Sequence, residues 1–222
     1  MLTKKYGLPV VSKDTIFPVL NDLGLKVWKP IEKPVPLEQY KQGNLTEAQK
    51  KELIYAPQIE AVTFLTPRGD QWHGFRTISR HGTVVFCLLP DNLIPICAEF
   101  RHGCEVISLN LPGGVVYTTE KPEECARREF EEEIGINLKE LTPLTTRGVP
   151  LEARRTNMRN FSFLGVPADP ITVNAQTLDK NEFVQRLLIP LDDWLRLIED
   201  DMVQDGYSII TTFLALRKLK KI

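Results

Sequence analysis

The spacing of apolar side chains changes character along the chain. Over about the first 60 residues it holds no period and is broken by Pro9, Pro18, Pro30, Pro34 and Pro36. One helix signal stands out there, Thr46 followed by Gln49 three positions on, the capping-box spacing. Residues 1–58 are therefore expected to form an irregular arm with a short helix. From Ala61 the texture becomes strand-like: AVTFLT, WHGFRTISR, TVVFCLLP and LIPICAEFR, with turn chemistry at Pro67-Arg68-Gly69-Asp70 and at Asp91-Asn92. That is the pattern of hairpins, with antiparallel strands expected over 59–80. Pro122 to Ile134 follows a helical period, which puts Ala126, Phe130 and Ile134 on one apolar arc. NFSFLGV and FVQRLLI again read as strands, whereas PLDDWLRLIEDD and YSIITTFLALRKLKK read as helices, the first opened by Pro190. Early strands, a central helix and closing helices predict an α+β fold of the αβα-sandwich type over 59–222.

Composition narrows the function. At 222 residues and 42% hydrophobic content, the chain can bury one sizeable core but not two large ones. Its 28 basic and 29 acidic residues nearly cancel, which argues against nucleic acid or an anionic membrane as the partner of the whole molecule. The basic stretch from Arg217 to Lys221 reads as a solvated helix end that complements the helix dipole. Cys87, Cys97, Cys104 and Cys125 form no C-x-x-C pair, so a disulfide frame or zinc site is not expected and a reducing cytoplasm fits. His73, His81 and His102 are scattered in sequence, which argues against a histidine metal site. The opening MLTKKYGLPVVSK has no apolar signal core, and no run approaches the ~18 apolar residues of a membrane span.

The chemistry concentrates on the helix from Pro122. Glu129, Glu132 and Glu133 fall within one arc beside the apolar one, so packing that helix on a sheet gathers three carboxylates at the edge of the core. Their mutual repulsion raises at least one pKa and calls for neutralisation. A solvated glutamate-rich face is the plain alternative. Hard divalent cations take oxygen ligands, and one to three of them could bridge the cluster to a phosphate-bearing substrate. Gly113-Gly114 just upstream would form a sharp loop whose backbone comes close to metal or phosphate.

Counting from Gly114 gives five residues to Glu120, seven more to Arg128-Glu129, then Phe130, one residue, Glu132-Glu133, one residue, and Gly135-Ile136. This resembles the Nudix box, G-x5-E-x7-R-E-U-x-E-E-x-G-U, at every position, with aromatic Phe130 where an aliphatic residue is usual. The resemblance implies an αβα sandwich with a mixed central sheet, in which residues 113–136 form a loop, a helix and a loop. It further implies that Glu129, Glu132 and Glu133 hold Mg²⁺ or Mn²⁺, and that Glu120 is tied to Arg128 and orients the box. The implied reaction is water attack on a phosphorus of a nucleoside diphosphate linked to another group.

HGTVVFCLLPDNLIPICAEFRHGCEVISLNLPGG is similar to the ADP-ribose pyrophosphatase branch of that family. By this likeness Arg101 faces the substrate, the carbonyl of Gly113 joins the metal shell and Gly114 lies against the substrate; a surface ion pair is the alternative for Arg101. Pro150 sits where the branch places a loop-setting proline, although Leu151-Glu152 follows in place of the more typical glycine-rich turn. Glu182 matches a loop glutamate that can act as general base, with Glu152 as the competing candidate and a solvated loop acid as the plain alternative for either. Arg154, Arg155 and Arg159, interleaved with Asn157 and Asn160, suit either a second phosphate or a soluble surface. Cleavage of ADP-ribose or a related nucleoside diphosphate sugar to a nucleoside monophosphate and a sugar phosphate is the expected activity. The alternatives are another nucleoside diphosphate compound (dinucleoside polyphosphate, NADH, capped RNA) or a non-catalytic ADP-ribose sensor. The branch also implies a homodimer paired through residues 61–80.

Overall fold

A computed structural model describes residues 3–53, 56–178 and 182–222. In chain order the elements are β1 (Lys4–Lys5), β2 (Leu8–Pro9), α1 (Ile16–Asp22), α2 (Leu37–Lys41), α3 (Glu47–Glu52), β3 (Gln58–Leu65), β4 (Gln71–Ile78), β5 (Gly82–Cys87), β6 (Leu93–Arg101) and β7 (Val106–Asn110). They continue with α4 (Pro122–Ile134), β8 (Leu138–Pro143), β9 (Asn160–Pro167), β10 (Gln185–Pro190), α5 (Leu191–Glu199) and α6 (Gly206–Lys218). The chain divides into two compact units, one of Met1–Trp28, His81–Val149 and Asn160–Ile222, the other of Lys29–Arg80 and Pro150–Arg159.

The larger unit holds two three-stranded sheets, ordered β10-β6-β7 and β5-β9-β8. β5 runs parallel to β9 and every other pair in these sheets is antiparallel, which gives the mixed sheet expected. All six residues of β5 are buried, as a strand covered on both faces requires. Its alternation shows what lies on each side. Val84 and Phe86 pack with Ile94, Ile96, Trp194 and Ala215, the last two from α5 and α6. Val85 and Cys87 pack with Ala126, Phe130 and Ile134 of α4. Helices therefore cover both faces, and the fold is an αβα sandwich.

The first 28 residues are not an arm. β1 and β2 close a hairpin through Tyr6 and Gly7, both at positive φ. Val10 bridges Leu188 in parallel, and Ile16, Val19 and Leu20 of α1 enter the core beside Phe86. The prolines there predict interruption, yet Pro18 is the third residue of α1, within the first turn, where the missing N–H has no helical partner to lose. The boundary expected at residue 58 therefore differs from the observed division, which returns 1–28 to the core unit and begins the second unit at Lys29. α3 matches the capping signal: the Gln49 side chain accepts the Thr46 N–H at 2.8 Å, and the Thr46 hydroxyl accepts the Gln49 N–H at 3.3 Å.

The second unit is built on the β3–β4 hairpin, in register from Gln58↔Ile78 to Leu65↔Gln71. Thr77 continues the pairing to Thr156, and its N–H donates to the Arg155 carbonyl at 2.7 Å.

Phe130 is fully buried and seats α4 on β5. Phe130→Ala is expected to destabilise the protein by about 3–5 kcal/mol, from lost transfer energy plus the cavity left behind. Urea unfolding checks it; a loss under about 1 kcal/mol would contradict the packing described.

Candidate active site

The helix that carries the carboxylates is well terminated. Pro122 opens α4, the Glu124 carboxylate accepts the Lys121 N–H at 2.9 Å, and Glu123 and Glu124 lie at the positive end of its dipole. It ends at Gly135 in the left-handed conformation, φ 82°, which a glycine adopts without steric cost. Upstream, Leu111 to Gly114 lies alongside β5: the Thr83 N–H donates to the Gly114 carbonyl at 2.9 Å and the Val85 N–H to the Pro112 carbonyl at 2.9 Å. The two glycines serve close approach and not a positive-φ turn. A Cβ on Gly113 would lie 2.0 Å from the Thr83 oxygen, and one on Gly114 would lie 2.3 Å from the Glu129 carboxylate. From α6 the Ser208 hydroxyl accepts the Leu111 N–H at 2.8 Å and itself donates to Asp205, which fixes the loop from behind.

Glu133 is the inward member of the acidic cluster. Its side chain is buried, and one oxygen, Oε2, accepts the Gly113 N–H at 2.9 Å and the Cys97 thiol at 3.7 Å. Burial drives its pKa well above the usual carboxylate range, with Glu99 and Glu129 adding to the rise. Glu129 is pushed up to about 7, chiefly by burial, while Arg128 pulls the other way and Glu132 and Glu182 push further.

Arg128 is the positive hub. Its Nε donates to Glu120 at 2.8 Å and Nη2 to the other Glu120 oxygen at 3.1 Å, a two-point grip. Nη1 donates to both Glu129 and Glu132 at 2.9 Å, and the guanidinium lies over the Tyr117 ring, 4.7 Å from its centre. The tie to Arg128 holds Glu120 below the usual carboxylate range. Pairing with Glu120 was expected; the grip on Glu129 and Glu132 was not.

The strand β6 adds two groups. Alternation places Cys97, Glu99 and Arg101 on one face, and Arg101 pairs with Glu99 at 2.7 Å. Asn110 also donates to Glu99 at 3.0 Å and accepts from Ser108 at 2.6 Å. Glu99 is raised by burial, with Arg101 opposing and Glu182 reinforcing, so Glu182 lies within electrostatic reach of both Glu99 and Glu129. Arg101 thus forms the ion pair that was one of its two alternatives, within the acidic cluster. Glu99 escaped notice in the sequence, although its i, i+2 relation to Arg101 on a strand was the available signal.

Gly113, Gly114, Glu120, Arg128, Glu129, Glu132, Glu133, Arg101 and Glu182 thus belong to one unit. Pro150, Glu152 and Arg154 belong to the other, where Glu152 pairs with Arg155 at 3.6 Å. Residues 179–181, ahead of Glu182, lie outside the described residues.

The donors suit a hard divalent ion, being carboxylate and carbonyl oxygens with two acids buried beyond their normal range. Among the described residues, no three acidic, thiol or imidazole side chains already converge at ligating spacing. Arg128 takes the place of a cation between Glu129 and Glu132. An ion seated there would require those two acids to turn from Nη1, with the guanidinium still gripped by Glu120.

The NUDIX domain family matches residues 79–212, more than half of the chain. The chain belongs to the NUDIX domain family. Among its relatives, an ADP-ribose pyrophosphatase of Bacillus subtilis (strain 168) is 29% identical over 179 residues, which cover 79% of this chain and 87% of that protein. A methanol dehydrogenase activator of Bacillus methanolicus is 26% identical over 149 residues, covering 66% of this chain and 79% of the other. The solved structure of an ADP compounds hydrolase superposes with a TM-score of 0.59 at 21% identity, covering 74% of this chain and 87% of that one, a likeness of fold.

The raised acids give the metal-free NUDIX fold a defined pH response. Because Glu129 holds its proton to about pH 7 when folded but loses it nearer 4.5 when unfolded, stability falls as pH rises through that window. The melting temperature in EDTA is expected to drop between pH 5 and 7.5, and the rise given by Mg²⁺ to be larger at pH 8 than at pH 6. Differential scanning calorimetry checks both; a Mg²⁺ effect independent of pH contradicts this ionisation account.

Proposed function

We propose that this NUDIX hydrolase cleaves the diphosphate of ADP-ribose or a related nucleoside diphosphate sugar, with Mg²⁺ or Mn²⁺ bound by Glu129, Glu132 and Glu133 and the Gly113 carbonyl. The observation that carries it is the complete box, with Glu133 buried and one of its oxygens held by the Gly113 N–H at 2.9 Å. The relative named as an ADP-ribose pyrophosphatase, aligned over 79% of the chain, supports the substrate class. When bound, the divalent ions lower the pKa of water and offset charge that develops on the diphosphate oxygens.

The chain's own groups supply the rest. Arg128 and Glu120 fix the box helix and keep Glu129 and Glu132 side by side. Arg101, half-exposed beside Glu99, offers a guanidinium to a phosphate oxygen. Glu182 takes the proton from the attacking water. The water oxygen joins one phosphorus, and the bridging oxygen leaves with the other phosphate, giving a nucleoside monophosphate and a sugar phosphate. Pro150, Glu152 and Arg154 belong to the second unit.

Glu133→Gln should keep the fold and lower kcat on the order of 10²–10³-fold, as expected for loss of one preorganised charged group. Product release from ADP-ribose, nucleotide sugars, dinucleoside polyphosphates, NADH and capped RNA with Mg²⁺, Mn²⁺ or EDTA identifies the substrate. Undiminished turnover by the variant, or silence of the wild type across the panel, contradicts the proposal.

We also infer that the chain is a homodimer paired through β3 and β4, where Ile59 (73%), Leu65 (75%) and Phe75 (71%) are left exposed. Light scattering is expected to give twice the mass of one chain, and Phe75→Glu to give a monomer. A monomeric wild type would refute the pairing.

A further inference from the structure

A helix leaves the carbonyls of its last turn without helical partners. At the end of α4 these carbonyls are met one by one. Glu131 accepts the N–H of Gly135 at 2.9 Å, which is the helix's own cap. The next four residues are served from far along the chain. The Glu132 carbonyl accepts the Thr177 N–H at 3.1 Å, and the Glu133 carbonyl accepts the Gln176 side-chain amide at 2.8 Å. The Ile134 carbonyl accepts from the Arg186 guanidinium at 2.7 Å, and the Gly135 carbonyl accepts the Asn174 N–H at 2.8 Å. Three of these four donors lie in residues 174–177, outside every helix and strand, and Arg186 also donates to the Asn174 carbonyl at 2.7 Å. The approach is close: a Cβ on Gly135 would lie 2.4 Å from the Asn174 oxygen. The turn held in this way is the one that carries Glu132 and Glu133, and all these residues belong to the larger unit.

Gln176 does more than cap. Its amide nitrogen faces two carbonyls, Glu133 at 2.8 Å and, in a longer contact, Val184 at 3.5 Å. Both partners are acceptors, so the nitrogen and not the oxygen of the amide must face them, and its two protons match them in number. Val184 is buried just ahead of β10, and Glu182 lies two residues before it. Glu182 in turn is near enough to raise both Glu129 and Glu99. One half-buried side chain therefore joins the backbone of a box carboxylate to the backbone that follows Glu182.

We propose that Gln176 is a positioning residue: by donating to the Glu133 and Val184 carbonyls it sets Glu182 against the box carboxylates. It need touch neither substrate nor metal. The inference rests on the hydrolase reading for what Glu182 does, but the tie itself can be tested on protein that turns nothing over.

Two variants separate donation from packing. Gln176→Ala removes the amide, whereas Gln176→Glu keeps its shape and turns an oxygen toward the two carbonyls. With ADP-ribose and Mg²⁺, each should lower kcat about 5- to 10-fold, the worth of one net hydrogen bond, with KM within about twofold of wild type. In a Glu182→Gln background, Gln176→Ala should lower kcat no further, because the group it places is already lost. On the metal-free protein, Gln176→Ala should speed amide hydrogen exchange at Thr177 by about 10-fold and leave Cys125 and Ala126, at the other end of α4, at wild-type rates. A Gln176→Glu variant with wild-type kcat, an effect on KM alone, or an undiminished effect in the Glu182→Gln background overturns the positioning role. Unchanged exchange at Thr177 overturns the tie. A wild type that hydrolyses nothing, while Gln176→Ala still frees Thr177, removes the hydrolase reading and the role through Glu182 but leaves the tie standing, so the two failures are distinct.

Discussion

The rest of the site depends on the crowding of carboxylates around too little positive charge. Glu129 and Glu133 are raised chiefly by burial, and Arg128 must serve Glu120, Glu129 and Glu132 at once. Such an arrangement costs stability in the folded chain, and a cation bound among these carboxylates would offset that cost. The two glycines of the loop follow from the same constraint. Gly113 must bring its N–H to Glu133 while passing against Thr83, and Gly114 must leave room for the Glu129 carboxylate. The first excludes a side chain at Gly113, where the obstacle is backbone, whereas a side chain at Gly114 would displace the Glu129 carboxylate.

The scaffold meets this cost by anchoring the helix and the loop that carry the cluster. Phe130, Ile134 and Ala126 anchor α4 to the sheet, β5 pairs with the Pro112–Gly114 backbone, and Ser208 of α6 holds Leu111. The cluster is thus gripped from both layers of the sandwich, and a hydrolytic site of this kind needs that rigidity, since its charges must be in place before substrate arrives.

Much of this was legible in the sequence because the chemistry is local. Glu120, Arg128, Glu129, Glu132 and Glu133 lie within one loop and helix, so spacing alone placed them, and the apolar arc of Ala126, Phe130 and Ile134 foretold which way the helix faces. What escaped was tertiary. Glu99 and Cys97 reach Glu133 only through the pairing of β6 in the sheet, and nothing near them in sequence marks them as partners of α4. α1 was hidden by Pro18, which a first turn tolerates, and β7 and β8 by the polar residues in such short strands. The first 28 residues read as an arm because their apolar positions have no period, yet Val11, Ile16 and Leu20 belong to the core.

The metal assignment proposed for Glu133 and its neighbours is the point on which the account turns, and Arg128 holds Glu129 and Glu132 from the same helix. Titration of Mn²⁺ into the substrate-free protein, followed by the electron paramagnetic resonance signal of the free ion, tests it most directly. The account predicts uptake by the wild type near pH 8, weaker uptake at pH 6, and strongly reduced uptake by Glu133→Gln. No uptake by the wild type, or uptake unchanged by that substitution, would contradict it.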